Sequence, residues 1–153
     1  MLFRSPRDFV SRNLLGVLYA RQRLWSEALR EITAALTIQP RDVDALTNRG
    51  WIFSELKMFE AALADFTTAL SLRSDYARAY AGRGGIYAEQ GQYAHAIEEY
   101  THAVRFDPRH VPHLTDLGWT YYRSGKISEA RAVLERAIRE DPQIGRASCR
   151  ERV

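Results

Sequence analysis

The feature that narrows the fold most is a self-match at a spacing of 34 residues. Gly16, Gly50, Gly84 and Gly118 stand 34 apart, as do Ala28, Ala62, Ala96 and Ala130, and again Ala35, Ala69, Ala103 and Ala137. An aromatic follows each glycine by three (Tyr19, Phe53, Tyr87, Tyr121), and a bulky apolar residue follows each first alanine by four (Ile32, Phe66, Tyr100, Leu134). Proline closes three units at Pro40, Pro108 and Pro142, with Ser74 in its place in the second. Columns held in register over four units specify a repeat, and this period is that of stacked helix–turn–helix pairs. Small residues recur where two helix backbones approach closely, since a larger side chain there would force them apart. Proline ends the second helix of a unit because it cannot continue the hydrogen-bond ladder. Asp42 and Asp75 precede helices as expected caps. Gly91 and Gly125 mark the turn inside units three and four, whereas Arg23 and Lys57 hold that place in units one and two.

These residues resemble the tetratricopeptide repeat family, whose pattern sets aromatic, Leu-Gly, aromatic, Ala, aromatic, Ala and Pro at fixed offsets. The fourth unit carries it as Leu114, Leu117-Gly118, Tyr121, Ala130, Leu134, Ala137 and Pro142. The third reads Tyr80, Arg83-Gly84, Tyr87, Ala96, Tyr100, Ala103 and Pro108. The chain departs from the pattern at Ser74, and at Arg49 and Arg83 where Leu is usual. The resemblance implies an all-α fold, an α-solenoid of four helix-turn-helix repeats forming a right-handed superhelix. The expected divisions are a lead-in over 1–8, repeats over 9–42, 43–76, 77–110 and 111–144, and a disordered basic tail over 145–153. About three or more such units are needed for stability, and a polar cap helix is expected on an array's end. The chain is therefore read as a piece of a longer array or of a multidomain protein.

Charge argues against a nucleic-acid track. The net charge is +3, and the 22 basic residues are interleaved with 19 acids rather than gathered into a block. The single Cys149 excludes a disulfide-stapled domain, and no Cys/His spacing typical of a metal site is present. No apolar run approaches the roughly 18–20 residues that span a bilayer. The stretch Leu14–Ala20 is in register with the repeat and is read as a helix of the fold, not a leader. A cytoplasmic location is expected, with the periplasm as the alternative.

A helix advances about 100° per residue, so positions sort by face. Counting the first helix of each unit from Phe9, Val43, Ala77 and Val111, positions four, eight and eleven are expected to be buried. Positions two, five, nine, twelve and thirteen fall opposite, on the side that the family resemblance assigns to the concave groove. Position nine holds Val17, Trp51, Gly85 and Trp119, position twelve includes Tyr122, and position thirteen includes Arg123. Position five holds Asn13, Thr47, Ala81 and Thr115. Trp and Arg dominate binding energy in protein interfaces. The expected partner-contacting residues are thus Asn48, Trp51, Arg78, Trp119, Tyr122 and Arg123, with a protein or peptide segment as partner. Trp25, at the start of a second helix, is expected in the core. Asn48 and Arg78 fall on columns of the family's carboxylate clamp, but Asn13, Val17 and Gly82 replace its other members, so the ring of cations that would hold an acidic chain terminus is missing.

Chemistry has little support. HExxH, GxGxxG, GxxxxGK[ST] and GxSxG are missing from the sequence. His110 and His113 are three apart, but no third ligand is evident, so no metal or cofactor is expected. His95 and His102 are read as an exposed outer face. Gly82, Gly84 and Gly85 lie within one helix, and two of them are not required by the packing column. Locally lowered stability or close partner approach is expected there. The resulting expectation is a non-catalytic protein-binding scaffold. One rival is an arm of a larger enzyme such as a glycosyltransferase. The other is RNA binding, which would need recurrent polar pairs at coding positions that are not found here.

Overall fold

The computed structural model describes residues 6–142. Eight α-helices and no strand occur among them: α1 (Pro6–Arg21), α2 (Trp25–Ile38), α3 (Val43–Glu55), α4 (Phe59–Leu72), α5 (Ala77–Glu89), α6 (Tyr93–Phe106), α7 (Val111–Arg123) and α8 (Ile127–Glu140). Helices α3, α5 and α7 begin at the residues from which the faces were counted. Helix α1 already begins at Pro6, so residues assigned to a lead-in are helical. The tail expected to be disordered, 145–153, lies outside the described residues.

The chain divides into two compact units, one ending at Gly82 and the other beginning at Arg83. In the first, α2 packs on α1 and α3, and α3 on α4; in the second, α7 packs on α6 and α8. The alanine columns are the closest-packed positions. Ala28, Ala62 and Ala96 have no exposed surface, nor do Ala35, Ala69 and Ala103. Phe66 shows what the small residues are for: it is fully buried, and a Cβ added to Gly50 would lie 2.8 Å from its ring. A methyl group at that glycine would displace either the ring or the helix.

The turns inside the four repeats share one backbone conformation. Arg23, Lys57, Gly91 and Gly125, each 34 residues apart, have φ of 59°, 61°, 74° and 82°. This is the left-handed region, which glycine enters at no steric cost and L side chains enter at about 1 kcal/mol or more. Between repeats, Asp42 caps α3 by accepting a hydrogen bond from the Ala45 amide at 2.8 Å. At the next junction the residue directly before α5 is Tyr76, not Asp75, which is exposed and 4.0 Å from Arg73.

The two departures from the leucine column have a structural reason. Arg49 donates two hydrogen bonds to the Asp65 carboxylate, at 2.7 and 2.8 Å. Arg83 does the same to Glu99, at 2.9 and 2.6 Å. The paired acids share a column with Glu31, which Arg12 reaches at 2.8 Å. Bidentate contact satisfies both carboxylate oxygens, which permits Asp65 to be only 6 % exposed. The hydrogen bond to Asp65, opposed by burial, holds the Arg49 guanidinium above its ordinary pKa, so Arg49 stays charged throughout the physiological range.

Candidate protein-interaction surfaces

In the first unit, a depression of about 260 Å³ is lined by residues of α1, α2 and α3, with Arg78 of α5. Val17, Ala20 and Ile52 give it an apolar lining, and Arg21 and Glu55 add charge beside Asn48, Trp51 and Arg78. Trp51 is half-buried, its ring edge-on to Phe66 with centroids 5.7 Å apart. One face of the indole is thereby anchored in the core while the remainder lines the depression. Asn48 bridges two repeats. Its amide nitrogen donates to Asn13 Oδ1 at 3.3 Å, and its carbonyl oxygen accepts from Arg78 at 3.1 Å. Arg78 also donates to the Tyr76 hydroxyl at 3.3 Å, which in turn donates to the Asp44 carboxylate. Burial, then the bond to Asp44, pushes the Tyr76 phenol up, and Arg78 partly offsets this. The hydroxyl stays protonated and keeps its donor role.

A second depression, of about 340 Å³, lies within the second unit and is lined by Ala88, Glu89, Tyr93, Trp119, Thr120 and Arg123. Trp119 and Tyr122 are 57 % and 53 % exposed and stack on each other with centroids 5.3 Å apart. Arg123 donates to the Tyr93 hydroxyl at 3.0 Å and sits 5.7 Å from that ring's centroid. Stacking and cation–π contact hold these large side chains in place at the surface, so little rotamer freedom remains for a ligand to remove.

All six residues singled out in the sequence are therefore at least partly accessible. Asn48, Trp51 and Arg78 gather in one unit, and Trp119, Tyr122 and Arg123 in the other. Several expectations fail. Position eleven, expected to be buried, is half-buried in all four repeats (Tyr19, Phe53, Tyr87 and Tyr121), and position four is half-buried at Arg12 and Tyr80. Position five does not line the groove in the middle repeats: Thr47 and Ala81 are buried, and the Thr47 hydroxyl donates to the Val43 carbonyl. Trp25 is not core but half-buried, lining the first depression. Gly82 is required by packing after all, since a Cβ there would stand 2.3 Å from Phe66. Tyr93, which orients Arg123, opens a second helix and so lies off the first-helix faces on which the sequence places the contacts. Asp107, outside both helices, is brought beside His110 and His113. Its signal was the repeated three-residue spacing 107, 110 and 113.

No helix among the described residues is long and apolar enough to cross a membrane. No curated protein sequence matches the chain significantly. Among solved structures, the chain is similar to the MamA protein (TM-score 0.74, 21% identity, 92% of this chain and 77% of that one). It is also similar to PilF of Pseudomonas aeruginosa (TM-score 0.82, 22% identity, 90% and 63%). A third is YrrB, described as a TPR protein with an unusual peptide-binding site (TM-score 0.70, 22% identity, 90% and 71%). At these identities the likeness is one of fold. Family models of the tetratricopeptide repeat match residues 56–110 and 87–147, together more than half of the chain. With the 34-residue columns buried as that repeat requires, the chain belongs to the tetratricopeptide repeat family, whose arrays serve as protein-interaction scaffolds.

Proposed function

We propose that the chain is a non-catalytic scaffold that holds an extended segment of another protein on its groove side. The observation that carries this reading is the first depression, where an apolar lining meets a tryptophan edge and a polar rim of Asn48 and Arg78. Alternate apolar side chains of a bound segment fit the lining, while its backbone carbonyls accept from Arg78 and Asn48. The second unit offers a surface of the same chemistry, with Trp119 and Tyr122 as apolar contacts and Arg123 as donor. That a structural neighbour is described as having a peptide-binding site supports the reading. Arg78 is already engaged by Asn48 and the hydroxyl of Tyr76, so a peptide is met by an ordered donor rather than a mobile cation.

Selection of peptides from a random display library against the full chain tests the proposal, with affinities then read by fluorescence anisotropy. Arg78→Ala and Trp119→Ala both replace exposed side chains, so helicity by circular dichroism should remain at the parent value. At least one of them should weaken a selected peptide by about tenfold or more, as loss of an interface anchor does. Peptides bound equally well by the parent and by both variants would place the ligand elsewhere and overturn the assignment.

A further inference from the structure

We propose that Asp107, His110 and His113 form a site for a divalent first-row transition metal ion, Zn²⁺ foremost, at the turn joining α6 to α7. One ligand atom from each, a carboxylate oxygen and two ring nitrogens, lies within 4.8 Å of the others. The two imidazole rings stand with centroids 4.0 Å apart. Two imidazoles and a carboxylate are a donor set that borderline divalent ions take, and three protein ligands leave a coordination position open. With bonds of about 2.0–2.1 Å and tetrahedral angles, ligand atoms stand about 3.3 Å apart. Closing the site thus takes side-chain adjustments on the order of an ångström or so. Asp107 and His110 are exposed and can rotate, whereas His113 is 5 % exposed and acts as the fixed post.

The repeat itself supplies the control. The same three columns hold Gln39, Asp42 and Ala45 at the first junction between repeats and Arg73, Tyr76 and Ala79 at the second. The backbone turn is shared: Asp42 donates to Gln39, Tyr76 to Arg73 and His110 to Asp107, at 3.3, 3.2 and 3.3 Å. The turn therefore forms whatever the side chains are. Ala45 and Ala79 fill the third column with no exposed surface, so packing does not call for an imidazole there. A ring nitrogen carried into a buried position has a desolvation cost, and metal ligation offsets it. His110 directly precedes α7 and His113 lies in its first turn. Asp107 contributes negative charge that partly compensates the ion's.

The test is calorimetric titration of the full, tag-free chain with ZnCl₂ at neutral pH, in a Cys149→Ser background so that the thiol takes no part. One ion per chain is expected, with a melting temperature that rises with metal concentration. His110→Ala and Asp107→Ala, both at exposed positions, should each weaken the ion by about tenfold or more. A His95→Ala/His102→Ala double variant should bind as the parent does. Absence of saturable uptake overturns the site. So does uptake that the His110→Ala variant retains, or that the His95/His102 control loses.

Discussion

A Cβ on Gly82 would meet three ring carbons of Phe66 at 2.3, 2.6 and 2.7 Å, whereas one on Gly85 meets only the Tyr100 hydroxyl, at an ordinary 3.4 Å. The two glycines stand three residues apart in α5 yet should respond to alanine with opposite signs. Phe66 is fully buried and its ring also meets Trp51 edge-on, so it cannot readily step aside. Gly82→Ala should therefore lose about 2 kcal/mol by overpacking. Gly85→Ala should gain roughly 0.5–1 kcal/mol, because glycine within a helix has more backbone entropy to lose than alanine. Urea midpoints with unchanged slopes would record both shifts. A stabilised Gly82→Ala variant would mean that the Phe66 ring is not held where it is found.

At the scale of the helix pair, charge and apolarity are exchanged as sets. Where the leucine column holds Arg49 and Arg83, the facing helix column holds Asp65 and Glu99. Where it holds Leu117, that column holds Val133. The first repeat combines Leu15 with Glu31 and takes its cation from Arg12, three residues earlier. Removing one member of a buried pair strands the other, at about 3–5 kcal/mol when burial is complete. Since the Arg49 side chain is 23% exposed, about 2–3 kcal/mol is expected for Arg49→Leu alone. The double variant Arg49→Leu/Asp65→Val installs the fourth repeat's combination and should recover to within about 1 kcal/mol of the parent. A double-mutant cycle read by denaturation measures the coupling. If the double variant is as unstable as the worse single one, the two columns do not compensate each other.

Across the whole molecule, the repeat was legible in the sequence because close helix packing is unforgiving. Only glycine or alanine fits at columns such as Gly50 and Ala62, so the constraint is written in residue type. The candidate surfaces were less legible, because sorting one helix by angle takes no account of its neighbours. Thr47 and Ala81 sit at the same angle as Asn13 and Thr115, yet the former are buried and the latter half-buried. Trp25 and Tyr93 reach the depressions from second helices, whose open side the count did not cover.

Burial also differs between helices in a way that no column shows, and this governs how the array opens. Helix α4 buries Ala62, Asp65, Phe66, Ala69 and Leu70, whereas α8 buries only Ala130 and Ala137. Ile127 and Ile138 of α8 are 52% and 47% exposed. In a repeat array, stability is approximately a sum of repeat and nearest-neighbour contributions, so a helix with few buried contacts opens without the rest. Native-state hydrogen exchange should therefore show the α8 amides at least about tenfold less protected than those of α4, a gap of about 1.4 kcal/mol. The α8 amides should also be insensitive to Gly82→Ala, which lowers the stability of the repeats around Phe66. Equal protection of both helices, falling together in that variant, would show instead that the eight helices unfold as one cooperative block.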